Sequence, residues 1–122
     1  MTEDAIHWVA QLQVHEGKLD EFKERAKTLV ATVRATEPKA LAYEWHISTD
    51  GRHRHVDEWY DGADGALAHV RGQGVTEQLP GLLEVSDFTG LFIYSPIDDL
   101  ELREALTSFG AVFTDHWGGF TR

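Results

Sequence analysis

The chain has 122 residues, 42% of them hydrophobic, and its 11 basic and 21 acidic side chains give a net charge of −10. This length predicts one domain with one core, and the acidic surface argues against nucleic acid or an anionic membrane as a partner. Cysteine is absent, which excludes disulfides, thiol catalysis and thiolate metal sites. With an N-terminus unlike a secretory signal and no apolar run of about 20 residues, the sequence predicts a cytoplasmic protein.

The first elements of the chain are a strand and a helix. Residues 6–14 carry apolar side chains at every second position, which is typical of a strand with one buried face. After Gly17, apolar residues recur at helical spacing with charged residues between them, which predicts an amphipathic helix over residues 18–36. Pro38 marks the end of that helix.

Two more strands, a second helix and a fourth strand follow. Residues 40–48 and 53–60 have the pattern of two strands joined by a tight turn, and Asp61 is a candidate N-cap for the next helix. Glycines interrupt that helix, and residues 86–95 form the fourth strand. The order β-α-β-β-α-β predicts an α+β, ferredoxin-like fold.

A C-terminal extension follows this core. Apolar residues at helical spacing predict a third helix that stops at Gly110. The tail after it is too apolar for a free C-terminus, and we expect it to dock on its own domain or on a partner subunit. Its apolar side chains are Val112, Phe113, Trp117 and Phe120. The sequence therefore predicts one domain over residues 1–122, with a core at about 6–95 and an extension at about 96–122.

The hairpin concentrates the polar side chains that could form a site. Asp50-Gly51 suits a tight turn, and centring the turn there predicts the register of both strands. Three predicted pairs then share one face: His46 with His55, Glu44 with Asp57, and Ala42 with Trp59. Carboxylates opposite each other repel, so water, a cation, a shared proton or the flanking histidines must offset that repulsion.

Three interpretations fit this polar face. Two imidazoles with two carboxylates can bind zinc, manganese or iron, or they can form a polar cleft wall, or they can simply face water. The other face is aromatic, and we expect it to contact a partner subunit through Tyr43, Trp45, Ile47, Val56 and Tyr60. Glu58 shares the aromatic face, where Arg54, Arg34 or a group across the dimer would pair with it. The polar face would then form a cleft floor beneath the helices, completed by His69.

Three segments carry a resemblance to a known family: HEGKLDEFKERAKTLVATVRATEP, ALAYEWHIS and VDEWYDGADGALAHV. They contain a glycine-started helix that ends at a proline, a Y-E-x-H strand, and an E-x-W strand that leads into a helix with a histidine. Over about residues 6–95 the chain resembles the antibiotic biosynthesis monooxygenase family. The matching residues are Tyr43, Glu44 and His46, then Glu58 and Trp59, and finally His69.

The resemblance implies a fold, an assembly and a chemistry. Similar proteins form dimeric α+β barrels with a ligand cleft between sheet and helices, so a homodimer is expected. Their activities include the cofactor-independent oxidation of phenols, quinols and polyketide aromatics. We therefore expect a monooxygenase that acts on a small aromatic molecule and needs neither a cofactor nor a metal.

Site residues follow from this expectation. In such chemistry a base removes a proton, and the substrate anion itself reduces oxygen. His69 is the expected base, His55 or His46 is its hydrogen-bonding partner, Trp59 and Trp8 are walls, and Asp57 and Glu44 are further substrate-binding groups. Two alternatives stay open: haem binding or breakdown with His69 as axial ligand, and a non-catalytic dimer that binds a small molecule.

Overall fold

The computed structural model describes residues 4–122. Its strands are β1 (Ala5–Val14), β2 (Ala40–Ile47), β3 (His53–Asp61), β4 (Ser86–Ile93) and β5 (Val112–Phe113). Its helices are α1 (Leu19–Thr36), α2 (Gly62–Val70), α3 (Leu79–Leu82) and α4 (Leu100–Ser108), and a π-helical turn (Gly74–Gln78) lies between α2 and α3. The first four strands and the helices between them follow the predicted β-α-β-β-α-β order.

The strands form one mixed sheet in the order β2-β3-β1-β4-β5. Strands β2, β3, β1 and β4 pair in antiparallel fashion, and β5 joins the edge of β4 in parallel. This arrangement is the α+β, ferredoxin-like fold that the sequence predicts. Strand β5 was not predicted, because two residues are too few to show a strand pattern.

The hairpin register is the predicted one. His46 pairs with His55, Glu44 with Asp57, and Ala42 with Trp59. Gly51 has a φ of +76°, where a residue with a side chain would be strained. The Asp50 carboxylate accepts a hydrogen bond from Arg52 N at 3.0 Å, which closes the turn. The turn chemistry therefore determines which side chains face each other.

The two faces of the sheet differ in what covers them. On one face, the alternating side chains of β1 are buried in the main core; they are Ile6, Trp8, Ala10, Leu12 and Val14. Helices α1, α2 and α4 contribute Phe22, Leu29, Val33, Ala66, Leu102 and Leu106 to the same core. No helix among residues 4–122 covers the opposite face, whose side chains stay partly exposed. We call these the buried face and the open face.

The aromatic face of the hairpin lies on the buried face, so its predicted contact with a partner subunit is wrong. Tyr43 and Trp45 pack against the core, and Val56 and Tyr60 belong to it. The reason is the pairing of β3 with β1, in which Trp8 lies opposite Glu58. The apolar side of β1 therefore brings the aromatic side of the hairpin under the helices.

The extension adds a helix and a short strand. The Asp99 carboxylate caps α4 by accepting a hydrogen bond from Leu102 N at 2.8 Å. Gly110, with a φ of +78°, ends the helix as predicted. Beyond β5 the tail does not dock on the described part of its own chain, because Trp117 and Phe120 are 97% and 81% exposed. A partner subunit stays the predicted docking place for these two side chains.

Candidate functional site

A cleft lies between the buried face of the sheet and the helices that cover it. It contains about 60 Å³ of free space. Its walls are mostly apolar side chains from the sheet, α1, the π-helical turn and α4, and its ionisable groups are those of Tyr43, Glu58 and His69. An apolar cleft with a few convergent polar groups is the usual form of a small-molecule site.

A hydrogen-bonded cluster of four side chains forms the polar end of the cleft. His69 Nδ1 lies 2.9 Å from Glu37 Oε1, and His69 Nε2 lies 3.3 Å from Glu58 Oε1. The Tyr60 hydroxyl donates a hydrogen bond to the same Glu58 oxygen at 2.6 Å. All four side chains are buried, so water screens their charges weakly. An imidazole between two carboxylates is well placed to be a cation.

Local structure explains how these distant positions meet. Glu37 directly follows the last residue of α1, and His69 lies in the last turn of α2. Strand alternation directs Glu58 and Tyr60 to the buried face. Gly72 leaves room for the approach of α2 to Glu37, because a Cβ there would lie 2.7 Å from the Ala68 backbone oxygen and 2.9 Å from Glu37 Oε2. The cluster thus joins the ends of two helices to the sheet.

The surroundings of His69 keep its imidazole protonated at neutral pH. Burial lowers the pKa of His69, but hydrogen bonds to Glu37 and Glu58 and the negative charges of both carboxylates outweigh burial and raise it to about 9. Burial, reinforced by the charge of Glu58, raises the pKa of Tyr43 and of Tyr60 well above the usual tyrosine range. At neutral pH the polar end of the cleft therefore presents the imidazolium of His69 and the neutral phenols of Tyr43 and Tyr60.

A second histidine–carboxylate pair lies on the open face. His7 Nε2 is 2.5 Å from Asp57 Oδ1, and the imidazole stacks on Trp59 with ring centroids 4.0 Å apart. Tyr94 extends this aromatic group, with its ring centroid 5.4 Å from that of His7. The side chains of His7 and Asp57 are 23% and 40% exposed. Water therefore screens this pair far more than it screens the buried cluster.

The predicted site residues lie on both faces of the sheet. His69 and Trp8 meet at the cleft, with ring centroids 6.4 Å apart. The others lie on the open face; they are His46, His55, Glu44, Asp57 and Trp59. The predicted cleft that unites His46, His55 and Trp59 with His69 is therefore wrong, because the sheet separates them. Strand β3 pairs its polar side with the His7 and Gln11 side of β1.

The sequence matches the family model of the antibiotic biosynthesis monooxygenases over residues 5–85, which is more than half of the chain. The chain belongs to the antibiotic biosynthesis monooxygenase family. Membership supports a general monooxygenase-like function, as the resemblance implied. Among proteins with curated functions, none is similar enough in sequence to match.

Solved structures with the same fold include one similar along nearly the whole chain. MupZ from Pseudomonas fluorescens has a TM-score of 0.82 at 21% identity, over 98% of this chain and 96% of MupZ. A Caulobacter crescentus CB15 protein named for the same family has a TM-score of 0.70 at 24% identity, over 78% and 92% of the two chains. A conserved protein from Methanosarcina mazei Go1 has a TM-score of 0.67 at 24% identity, over 76% and 93%. At these identities the likeness shows the fold alone.

The sequence did not predict three residues of the buried cluster as site residues. They are Glu37, Glu58 and Tyr60. Glu58 was expected to pair with Arg54, Arg34 or a group across the dimer, but the structure pairs it with Tyr60 and His69. A carboxylate on an otherwise aromatic strand face was the signal that marked Glu58. Glu37 had no such signal, because it resembles any charged residue at the end of a surface helix.

A metal site in the described part of the chain would need side chains that can bind a metal ion together. Residues 4–122 contain no group of three or more histidine, aspartate or glutamate side chains placed to hold a metal ion. The imidazoles and carboxylates on the open face of the hairpin are therefore not placed to bind a metal ion together.

None of the helices in residues 4–122 combines the length and the apolar character of a membrane span.

Proposed function

We propose that this family member is a cofactor-independent monooxygenase that uses molecular oxygen to oxidise a small aromatic quinol, phenol or polyketide-like molecule. The observation that carries the proposal is the buried imidazolium of His69, held between Glu37 and Glu58 at the polar end of an apolar cleft. A substrate anion in that cleft would lie next to a fixed positive charge. Such a charge stabilises an anion strongly where water is excluded.

The raised pKa of His69 changes the role that the sequence suggested for it. A protonated imidazole cannot accept a proton, so we assign the base to Glu58, whose side chain lines the cleft. His69 then stabilises the substrate anion, and Tyr60 orients Glu58 through their hydrogen bond. Trp8 keeps its expected role as an aromatic wall.

The proposed reaction balances with oxygen as the only co-reactant. Glu58 removes a proton from an acidic C–H or O–H group of the substrate. The electron-rich anion passes one electron to oxygen, and the two radicals combine into a peroxide anion on carbon. This anion takes the proton back from Glu58 and becomes a hydroperoxide. Loss of water from that hydroperoxide converts a CH₂ group into a carbonyl, so one oxygen atom enters the product and the other leaves as water.

The cleft has to open before such a substrate enters. Its free space of about 60 Å³ is smaller than the roughly 150 Å³ of an apolar cavity that accommodates benzene. Leu106 and Phe109, from α4 and its C-terminal end, form the wall that the extension contributes. We expect this wall to move when the ligand binds.

Oxygen uptake and absorbance with a panel of hydroquinones and anthrones test the proposal. We expect turnover of at least one compound, and a loss of about 10²-fold or more in Glu58→Gln, because general base catalysis contributes roughly that factor. His15→Ala is the matched control, since this histidine pairs with Asp87 at the surface and lies away from the cleft. Circular dichroism verifies that each variant is folded.

Three results would contradict the proposal. The first is no oxygen uptake with any compound, and the second is a wild-type rate in folded Glu58→Gln. The third is a loss of activity in His46→Ala or His55→Ala while Glu58→Gln stays active, because the chemistry would then belong to the open face. Trp59, Asp57 and Glu44 would in that case be its substrate contacts.

We infer that haem binding at His69 is the weaker alternative. Both ring nitrogens face carboxylates, so neither is free to bind iron. A Soret band that appears on titration with hemin and is lost in His69→Ala would overturn this conclusion. An aromatic ligand retained in native mass spectrometry without oxygen uptake would instead favour the non-catalytic small-molecule-binding dimer.

A homodimer in the cytoplasm is the second part of the proposal. The open face needs cover, and the exposed Trp117 and Phe120 of the tail would contact the partner. Val9→Arg places a charge on the open face and should yield a monomer in light scattering after gel filtration, whereas Thr28→Arg on exposed α1 should not. A wild-type monomer would refute the dimer, and cell fractionation tests the location.

A further inference from the structure

A second concavity lies between α1 and the β2–β3 hairpin, on the buried-face side of the sheet. We call it the α1 groove. It has about 480 Å³ of free space. Its apolar wall consists of Phe22, Ala26, Val30, Ala31 and Trp45, and its polar side chains are Lys23, Lys27, Arg34 and Arg54. Trp45 also lines the cleft, so one indole separates the two spaces.

Arg54 is buried in this groove without a counter-charge. Its side chain belongs to a residue that is only 6% exposed, and its Nε has no hydrogen-bond acceptor within the described chain. No carboxylate among residues 4–122 forms an ion pair with it. The guanidinium lies 4.9 Å from the ring centroid of Phe22, a cation–π contact that offsets only part of the cost of burial.

A second unpaired donor lies beside the first. Trp45 Nε1 is buried and has no acceptor within the described chain. Trp45 pairs with Val56 across the hairpin, so it is a diagonal neighbour of Arg54 on the same face, at about 7–8 Å. Phe22 contacts both side chains, since its ring centroid is 6.1 Å from that of Trp45. Buried donors are normally paired, so the unpaired Arg54 Nε and Trp45 Nε1, which belong to side chains that line the groove, point to an acceptor from outside the chain.

The charge of the groove identifies the kind of acceptor. Four of the chain's 11 lysines and arginines line it, and no acidic side chain does. Only Lys27 of these four has an ion pair in the described part of the chain, at 3.4 Å from Glu24. Such a positive groove is exceptional in a chain of net charge −10. A guanidinium pairs well with a carboxylate, and the apolar wall suits a hydrocarbon body.

We propose that the α1 groove binds an organic carboxylate, with its anionic group at Arg54 and the Trp45 indole N–H, and with its apolar body against Phe22 and Val30. A single negative charge suits the groove better than a phosphate ester, because Arg54 is its one buried cation, whereas water screens the exposed Lys23, Lys27 and Arg34. The proposal does not depend on the reaction in the cleft. It assigns a binding site to a surface of α1 that the monooxygenase chemistry leaves unused.

Titration of isotope-labelled protein with hydrocinnamate tests the site by NMR. The Trp45 indole N–H is one of four tryptophan indole signals, and Trp45→Phe identifies it. We expect hydrocinnamate to shift this signal in a saturable manner and the neutral hydrocinnamamide to leave it in place. Arg54→Met should weaken binding by about tenfold or more. Arg52→Met removes the same charge outside the groove and should bind like the wild type.

Several results would overturn the assignment. These are an unmoved Trp45 signal, equal binding of acid and amide, equal affinity in Arg54→Met, or an equal loss in Arg52→Met. Tighter binding of phenyl phosphate than of hydrocinnamate would refute the carboxylate class. If Arg54→Met does not fold, Arg54→Lys and Arg34→Gln take its place, and unchanged affinity in both would refute the site. Oxygen uptake plays no part in this test, so its outcome is separate from that of the proposed function.

Discussion

His69 and His7 each pair with carboxylate groups, but on opposite faces of one sheet. His69 lies between Glu37 and Glu58, where protein surrounds all three groups. His7 holds Asp57 at the edge of solvent and stacks on Trp59. Loss of one partner leaves an uncompensated charge in the first case, whereas water replaces the partner in the second. The contribution of a histidine–carboxylate pair to the stability of the protein therefore depends on the face of the sheet where it lies.

Removal of each histidine should give the largest difference in stability between the two faces. We expect His69→Ala to lower the free energy of unfolding by roughly 3–5 kcal/mol, because it leaves two carboxylates buried without their cation. His7→Ala, measured at a protein concentration where the chain is monomeric and the open face meets water, should cost less than about 1 kcal/mol. Urea unfolding at neutral pH measures both. Equal losses would mean that burial does not distinguish the two pairs.

Truncation of the wall above the buried face should have the next largest effect. Leu106 is fully buried in α4, and Leu106→Ala should cost about 3 kcal/mol through lost contacts and a new cavity. Leu100→Ala is the control in the same helix, since Leu100 is largely exposed and should change stability little. Chemical unfolding of both variants is the measurement. A loss in Leu100→Ala as large as in Leu106→Ala would contradict this placement of α4.

The pH dependence of the free energy of unfolding should show how the charge of His69 differs in effect from that of His7. The pKa of His69 is about 9 in the folded protein and about 6.5 when the group is unperturbed, so folding stabilises the protonated form. This contribution is fully present below about pH 6.5 and is lost as the pH rises through about 9. We expect a decrease of roughly 2–3 kcal/mol over that window. The slope should be absent in His69→Gln and unchanged in His7→Ala, and a slope that persists in His69→Gln would refute the assignment.

The smallest effect should come from a single hydroxyl. Tyr60→Phe removes the hydrogen bond to Glu58 but keeps the ring, and it should cost about 1–2 kcal/mol. Tyr94→Phe changes a phenol of the open face and should cost nothing measurable. Thermal unfolding compares the two. A neutral Tyr60→Phe would mean that the hydroxyl does not support the carboxylate.

The elements of this fold were predictable because each depends on nearby residues. Periodicity marked the four core strands and α1, and the turn at Asp50-Gly51 was enough to pair His46 with His55. Such signals need only a few neighbouring positions. Strand β5 was missed because two residues are too few to show a strand pattern.

The face of the hairpin was not predictable from the hairpin itself. Its two sides exchange places if β3 slides by one residue along β1, and that offset depends on contacts between residues about fifty positions apart. The apolar alternation of β1 showed which side of β1 packs against the helices. It did not show that Trp8 pairs with Glu58, and this pairing determines which side of β3 lies on the same face.

The candidate site was predictable only in part, since His69 and Trp8 lie at the cleft but the other predicted site residues do not. His69 matched the family pattern. Its partner Glu37 is 32 residues earlier, and their contact depends on how α2 crosses the end of α1. No local pattern encodes that crossing, so the protonated state of His69 could not be predicted.

The wall of the cleft that Leu106 and Phe109 supply has an evolutionary consequence. The family model ends at residue 85, whereas these two side chains belong to the segment after it and still line the cleft. The ionisable cluster and the wall are thus encoded in separate stretches of the chain. Mutation of the C-terminal segment can reshape the space offered to a ligand while Glu37, Glu58 and His69 stay in place. Mutation can therefore change the shape of the cleft and its ionisable groups separately.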